Sequence, residues 1–313
     1  MDFGYQQRKG VSSMTFRAGF VCIVGRPNTG KSTLTNALVG SKVAITSDKP
    51  QTTRHIIRGI VHEEAGQIIL VDTPGIHRPR TLLGKRLNEL VRTTWADVDV
   101  IAMCFPADQP IGPGDRMIAE DIQEMKRTKK IALLTKTDTV SKEKIAKRLV
   151  ELQNLAEKLD WNWEHIVPIS SIKGHNLDVL KTVLISMLPE SPALYPSGEI
   201  TEETDEALVS ELIREAALHG VHDELPHSIA VVIEEMKLRD DQKMLDIHAF
   251  LFVERDSQKG IIIGKQGSRL KEVGQTARFS IEKLLGVKVY LDLRVKVAPD
   301  WQRDPKQLNR LGF

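Results

Sequence analysis

The chain has 313 residues, 41% hydrophobic and 27% charged, with 44 Lys and Arg against 42 Asp and Glu for a formal net charge of +2. That size and composition indicate a soluble globular protein with more than one core. The near-neutral charge excludes a bulk polyanion binder, so a nucleic-acid surface has to be a local patch. No stretch reaches the ~20 apolar residues of a membrane-spanning helix, and no signal-peptide core is present.

Residues 1–16 are polar and aperiodic and read as a flexible N-terminal tail. From residue 20 to 188 short apolar strands alternate with amphipathic helices. Strands are expected at 20–24, 57–61, 68–71, 98–105, 131–135 and 166–169, and helices near 31–39, 82–95, 115–125, 142–159 and 177–187. This alternation predicts an α/β domain over 17–190, with a mostly parallel sheet and helices on both faces. The short connection 62–67 makes one pair a hairpin, hence one antiparallel strand. The two cysteines, Cys22 and Cys104, fall in apolar strands and read as buried free thiols of a reducing compartment.

Pro189, Pro192 and Pro196, with Gly198 and an acidic run, mark an interdomain linker over 191–205. Beyond it the pattern becomes helix 206–218, strands 228–236 and 245–254, a short helix 260–263, a helix 268–285 and a last strand. That strand alternates Val287, Val289, Leu291, Leu293, Val295 and Val297 with Lys288, Tyr290, Asp292, Arg294 and Lys296, so the sheet of this α+β domain (206–300) is wet on one face. Residues 301–313 read as a loosely attached C-terminal tail.

Gly25-Arg26-Pro27-Asn28-Thr29-Gly30-Lys31-Ser32 follows a strand and opens a helix, the context a P-loop requires. Its glycines let backbone N–H groups wrap phosphates at a helix N-terminus. Lys31 would neutralise the β/γ oxygens and Ser32 would ligate Mg²⁺. Asp72-Thr73-Pro74-Gly75 closes the third strand, where Asp72 could hold Mg²⁺ through water and the Gly75 N–H could sense a γ-phosphate. Thr135-Lys136-Thr137-Asp138 selects the base. The Asp138 carboxylate can accept from both N1–H and the exocyclic amine of guanine, whereas adenine would leave it unpaired. The Lys136 stem would lie over the ring. From Ser170-Ser171-Ile172, the Ser171 N–H could reach guanine O6.

In these motifs and their order the chain resembles the translation-factor class of small GTPases. Two positions depart from that class: Thr135 stands where Asn is usual, and Ser171 where Ala is usual. Gln51-Thr52-Thr53-Arg54-His55 lies in an aperiodic loop, with Thr53, or Thr52 next to it, as the expected switch ligand of Mg²⁺. Ile76 stands where many GTPases carry a water-orienting Gln, so intrinsic hydrolysis should be slow. Rescue could come from a backbone group, a partner or a K⁺ ion, with Asn28 as the candidate K⁺ ligand. His55 and His77 read as surface residues.

Gly264-Lys265-Gln266-Gly267 joins two helices and resembles the Gly-x-x-Gly loop of a type-2 KH domain, which clamps about four nucleotides of single-stranded RNA backbone. Lys265, Arg269 and Lys271 add positive charge, and Ile261, Ile262 and Val273 are expected to floor a groove for unstacked bases. The GTPase-then-KH order together with Gln-Thr-Thr-Arg is similar to the Era family of bacterial GTPases, over residues 16–300. That resemblance implies binding of GTP, GDP and Mg²⁺ and binding of the 3′ end of 16S rRNA. It also implies a role in 30S assembly, a cytoplasmic location with peripheral attachment to the inner membrane face, and a monomer. Two rivals stay open on the residues: a metabolic P-loop kinase, and a GTPase whose KH-like unit recruits proteins.

Overall fold

The computed structural model describes residues 15–49, 52–76, 79–221, 225–240 and 243–313. The first unit runs β1 (Arg17–Val24), α1 (Lys31–Val39), β2 (Ile57–Glu63), β3 (Gly66–Asp72), α2 (Leu82–Ala96), β4 (Val100–Pro106), α3 (Pro113–Gln123), β5 (Lys129–Thr135), α4 (Lys142–Lys158), β6 (His165–Pro168) and α5 (Leu177–Met187). The sheet order is β2-β3-β1-β4-β5-β6, with β2 antiparallel to β3 and every other pair parallel. Strands β3 and β4 are buried along their whole length, as continuous apolar runs covered on both faces must be. Leu34 and Leu38 of α1 and Leu180 and Leu184 of α5 close one face. Val91 and Trp95 of α2, Ile118 and Ile122 of α3 and Leu152 of α4 close the other. Cys22 and Cys104 are free and buried in these layers.

The second unit contains α6 (Asp205–Leu218), α7 (Leu225–Ser228), β7 (Ala230–Leu238), β8 (Met244–Val253), α8 (Asp256–Ile263), α9 (Ser268–Leu285), β9 (Lys288–Val297) and α10 (Pro305–Arg310). Strand β8 is central, antiparallel to β7 and parallel to β9. Helices α6, α8 and α9 bury Val209, Ile213, Ile262, Val273, Ala277 and Ile281 against one face. The opposite face carries the half-exposed Tyr290 and a Lys296 ammonium 3.1 Å from the Phe250 ring centroid, the wet face that the alternation predicts.

Two expectations need correction, and the linker proves to be tied down. Residues 301–313 are not a loose tail: Trp301 and Leu308 are fully buried and pack with Leu311 on Leu83 and Leu87 of α2. The Leu83 N–H donates to the Gln302 carbonyl at 3.0 Å, and Arg86 donates to Asn309 Oδ1 and the Phe313 carbonyl, both at 2.8 Å. The apolar residues Trp301, Leu308 and Leu311 are too few for a periodic signal, and their partners lie more than two hundred positions away in sequence. The linker is held to the first unit. Its Ile200 carbonyl accepts from the Ile60 N–H at 2.9 Å, Thr201 Oγ1 donates to the Arg58 carbonyl at 2.7 Å, and Glu202 pairs with Arg58, all along the outer edge of β2. Finally, His55 is half-buried and stacked on Phe313, with ring centroids 5.0 Å apart. Burial lowers its pKa. His77 and Gln51 lie outside the described residues.

Candidate nucleotide site and nucleic-acid interface

The loop between β1 and α1 needs unusual backbone angles. Gly25 and Gly30 have φ of 149° and 95°, and Asn28 has φ of 63°. A Cβ on Gly25 would sit 2.9 Å from both the Cys104 carbonyl oxygen and Thr29 Oγ1, so only glycine fits there. Gly30 caps α1 without any side-chain acceptor, leaving the first-turn N–H groups directed out of the helix for an anion. Lys31 is buried, and its Nζ donates to the Gly25 and Arg26 carbonyls at 3.1 and 2.9 Å. Desolvation lowers its pKa, which primes it to exchange those neutral acceptors for phosphate oxygens. Arg26 is drawn aside, its Nε donating to the buried Asp115 at 2.7 Å, while the Asn28 amide donates to the Asp48 carbonyl at 2.6 Å.

Three candidate metal-binding groups converge beside this loop. Ser32 Oγ and Thr53 Oγ1 are 2.9 Å apart, and Thr53 is buried. Thr52 instead donates to the Lys49 carbonyl at 2.6 Å, so of the two switch threonines Thr53 is the one at the site. Asp72 is fully buried, and neither carboxylate oxygen has a hydrogen-bond partner. Burial pushes its pKa up to about 6, with the nearby Ser32 hydroxyl and Lys31 charge pulling it partly back. A buried, unpaired carboxylate beside two hydroxyls is an arrangement a hard divalent cation would satisfy. The Asp72–Gly75 loop lies against the phosphate loop: Thr73 Oγ1 donates to the Ile23 carbonyl at 2.9 Å, and a Cβ on Gly75 would meet Pro27 N at 2.8 Å. After Pro74, Ile76 is buried in the core with Val24, Val71 and Trp95 and offers nothing to a water.

The base end forms on the loops after β5 and β6. Lys136 adopts a left-handed conformation, with φ of 55°, and opens the one-turn helix Thr137–Thr139. Ser170 is buried, donates to Asp138 Oδ1 at 2.6 Å and accepts from the Lys173 N–H at 3.1 Å, so the exposed Asp138 carboxylate is oriented before any base arrives. Ser171 and Ile172 follow on the open side. Thr135 Oγ1 donates to the Thr29 carbonyl at 2.6 Å. The hydroxyl that replaces the usual amide therefore ties the base loop to the phosphate loop.

The same switch segment is held by the second unit, through residues the sequence alone did not reveal. Buried Arg54 donates to the carbonyls of Ile229, Pro226 and His227 at 2.6, 3.0 and 2.8 Å, and its guanidinium lies 5.7 Å from the Trp301 ring centroid. Buried Arg214 of α6 donates to the Thr52 carbonyl and pairs with Glu211. Glu215 accepts from the Thr46 N–H at 2.9 Å and pairs with Lys42, and Ile45 packs inside the core of the second unit. A loop arginine gives no sequence clue to an acceptor some 175 positions later.

In the Gly-x-x-Gly loop, Gly264 and Gly267 have φ of 73° and 78°, and Gln266 has φ of 52°. A Cβ on Gly264 would approach Arg269 Cβ to 2.8 Å. Lys265 and Lys271 are exposed. Arg269 is not: its guanidinium folds back on the His219 carbonyl at the end of α6, where it complements the helix dipole. The expected groove floor also changes. Ile262 and Val273 are sealed in the core, because the helix faces that carry them turn toward the sheet. The open groove beside the loop is lined instead by Leu270, Gly274, Leu291 and Leu293, with Lys271 and Arg278 on its rim.

A glycine loop at the switch point of this doubly covered sheet, with the Asp138 and Ser170 loops after β5 and β6 beside it, is the architecture of a P-loop GTPase, and the unit behind it is a KH domain. A family model described as 50S ribosome-binding GTPase matches residues 20–136, and a KH domain model matches residues 224–302. The chain is 60% identical to GTPase Era of Streptomyces coelicolor, over 95% of each chain. It is 64% identical to that of Mycolicibacterium smegmatis, over 95% of this chain and 99% of the relative. Two solved structures align over 95% of this chain and 99% of theirs. One is a point variant of Aquifex aeolicus Era bound to GDP·AlF4⁻ (38% identity, TM-score 0.89). The other is Era in complex with MgGDPNP and nucleotides 1506–1542 of 16S ribosomal RNA (39%, 0.90). The chain belongs to the Era family of GTPases.

Proposed function

We propose that this chain is a Mg²⁺-dependent GTP switch that grips the 3′ end of 16S rRNA through its KH domain and releases it according to nucleotide state, during 30S subunit assembly. The solved relative that carries both MgGDPNP and nucleotides 1506–1542 of 16S rRNA supports this reading. Gly25–Ser32 would cradle the phosphates of GTP or GDP, with Lys31 and the Gly75 N–H on the transferred group. Ser32, Thr53 and Asp72 would hold Mg²⁺, which neutralises phosphate charge. Asp138 would select guanine, with Lys136 over the ring and Ser171 at its carbonyl edge. Gly264–Gly267, Lys265 and Lys271 would meet the RNA backbone, and Arg269 would support them from below. Slow turnover follows from Ile76, and a K⁺ ion beside Asn28 is one means of raising it. Equal rates in KCl and NaCl would remove that ion from the scheme.

The observation that carries the switch is the double engagement of one loop. Thr53 faces Ser32 while Thr52 and Arg54, on either side, are bonded into the second unit. Any ligand that repositions Thr53 therefore acts on the domain packing. RNA affinity measured with GDP and with a non-hydrolysable GTP analogue is expected to differ by tenfold or more, a coupling of about 1.4 kcal/mol; equal affinities would overturn the switch. The same reading takes 17–190 and 206–300 as the two domains and the protein as a cytoplasmic monomer. It includes peripheral attachment to the inner membrane face, which flotation with anionic vesicles would decide.

A further inference from the structure

Beyond the Gly-x-x-Gly groove, a second cleft of about 710 Å³ separates α1 from the C-terminal half of α9. One wall is contributed by Thr33 and Ala37 of α1 with Thr46 of the switch loop, and the other by Phe279 and Lys283 of α9. Phe279 is 71% exposed, the most exposed large aromatic side chain among the described residues. An exposed ring on a helix offers an open face on which a base can stack. Among the described residues no carboxylate lines the cleft, and neither Lys283 nor Arg278, which adjoins Phe279, has a contact ion pair. The acid that feels the Arg278 charge, Glu282, is itself engaged by Lys288 and the Val289 N–H. The cleft thus holds a flat aromatic platform and the cation Lys283, with Arg278 at its edge, while its Lys42 is paired with Glu215.

That chemistry fits an unstacked nucleotide: every base has a face that can stack on an aromatic ring, and the cations take its phosphate. It fits an apolar peptide less well, because a single exposed ring with cations offers little contiguous apolar area. Position favours RNA as well. Arg278 lines the Gly-x-x-Gly groove and Phe279 lines the cleft, about 100° further round the helix, so a strand leaving the groove has only the outer face of α9 to cross before it reaches the cleft. We infer that the α1–α9 cleft is a second RNA subsite, in which Phe279 stacks one flanking base and Arg278 and Lys283 hold its phosphates. The subsite presupposes the RNA-binding function proposed above.

The test uses the full chain, an RNA of nucleotides 1506–1542 of 16S rRNA, and an oligonucleotide just long enough to fill the Gly-x-x-Gly groove. Phe279→Ala should weaken the long RNA about tenfold or more, the loss of one base–aromatic stack, and leave the short one unchanged. Phe279→Trp should restore the long RNA and show indole quenching on binding. Lys283→Ala should lower the salt slope for the long RNA by about one. Gly264→Asp/Gly267→Asp should abolish binding of both. Unchanged long-RNA affinity in Phe279→Ala, with binding still lost in the glycine double variant, would overturn the subsite alone and leave the cleft to a protein partner. RNA binding that survives the glycine double variant would overturn the KH reading itself.

Discussion

The Asp72 carboxylate lies fully buried without a hydrogen-bond partner, and burial holds its pKa near 6 against an ordinary value of 3.8. A carboxylate raised in this way weakens the folded, metal-free state once it ionises. The penalty is absent below the unfolded pKa of 3.8, grows through the window up to about 6 and is constant above it. In chemical unfolding without nucleotide or Mg²⁺, the stability of Asp72→Asn relative to wild type should therefore rise by about 2 kcal/mol between roughly pH 4 and pH 7. A difference that does not change with pH would show that the carboxylate is solvated after all. At the other end of the site, Asp138 is held by Ser170. Asp138→Asn replaces two acceptor oxygens by one acceptor and one donor amide. GTP affinity should fall about a hundredfold, the cost of losing a charge-assisted bond, and xanthosine triphosphate, with a carbonyl in place of the amine, should gain. Isothermal titration of both nucleotides reads the exchange, and parallel losses for the two would refute the assignment. The places of both carboxylates were legible before the structure, because each belongs to a short motif next to a strand end. Arg269 was not, since its acceptor at His219 lies fifty positions away and on another helix.

At the level of elements, α2 and the switch loop share one partner, the segment from Trp301 to Phe313. Leu83 and Leu87 pack on Trp301, Leu308 and Leu311, and His55 stacks on Phe313. Strand and helix periodicity revealed the sheet, its helices and the KH order, but α7 and α10 are single turns or little more and leave no periodic trace. Their stability is tertiary rather than local. Leu308→Ala should cost about 2–5 kcal/mol of docking energy at this seam. Hydrogen exchange should then accelerate in residues 82–96 and 52–57 and stay unchanged in β4 and β5. Uniform acceleration would mean that α10 belongs to the global core rather than to a separable clasp.

For the molecule as a whole, the two units communicate through few groups, with Arg54, Arg214 and Glu215 the main polar ones. Arg214→Ala removes the donor to the Thr52 carbonyl and leaves Glu211 without its partner. If nucleotide state reaches the RNA groove by this route, the variant should hydrolyse GTP near the wild-type rate while its RNA affinity ceases to depend on GDP or analogue. Retention of the full difference in filter-binding assays would place the coupling elsewhere, in the Arg54 and Glu215 contacts or the seam of α2 with α10.

The linker has a consequence of another kind. Residues 200–202 occupy the outer margin of β2, satisfying the Ile60 N–H and the Arg58 carbonyl. That margin would otherwise be a row of bare amides and carbonyls able to recruit a strand from a neighbouring molecule. Pulling the domains far apart would peel the linker away and unmask a sticky selvedge. A GTPase fragment ended at residue 190 should thus cluster in light scattering, while one carried on to residue 204 stays dispersed.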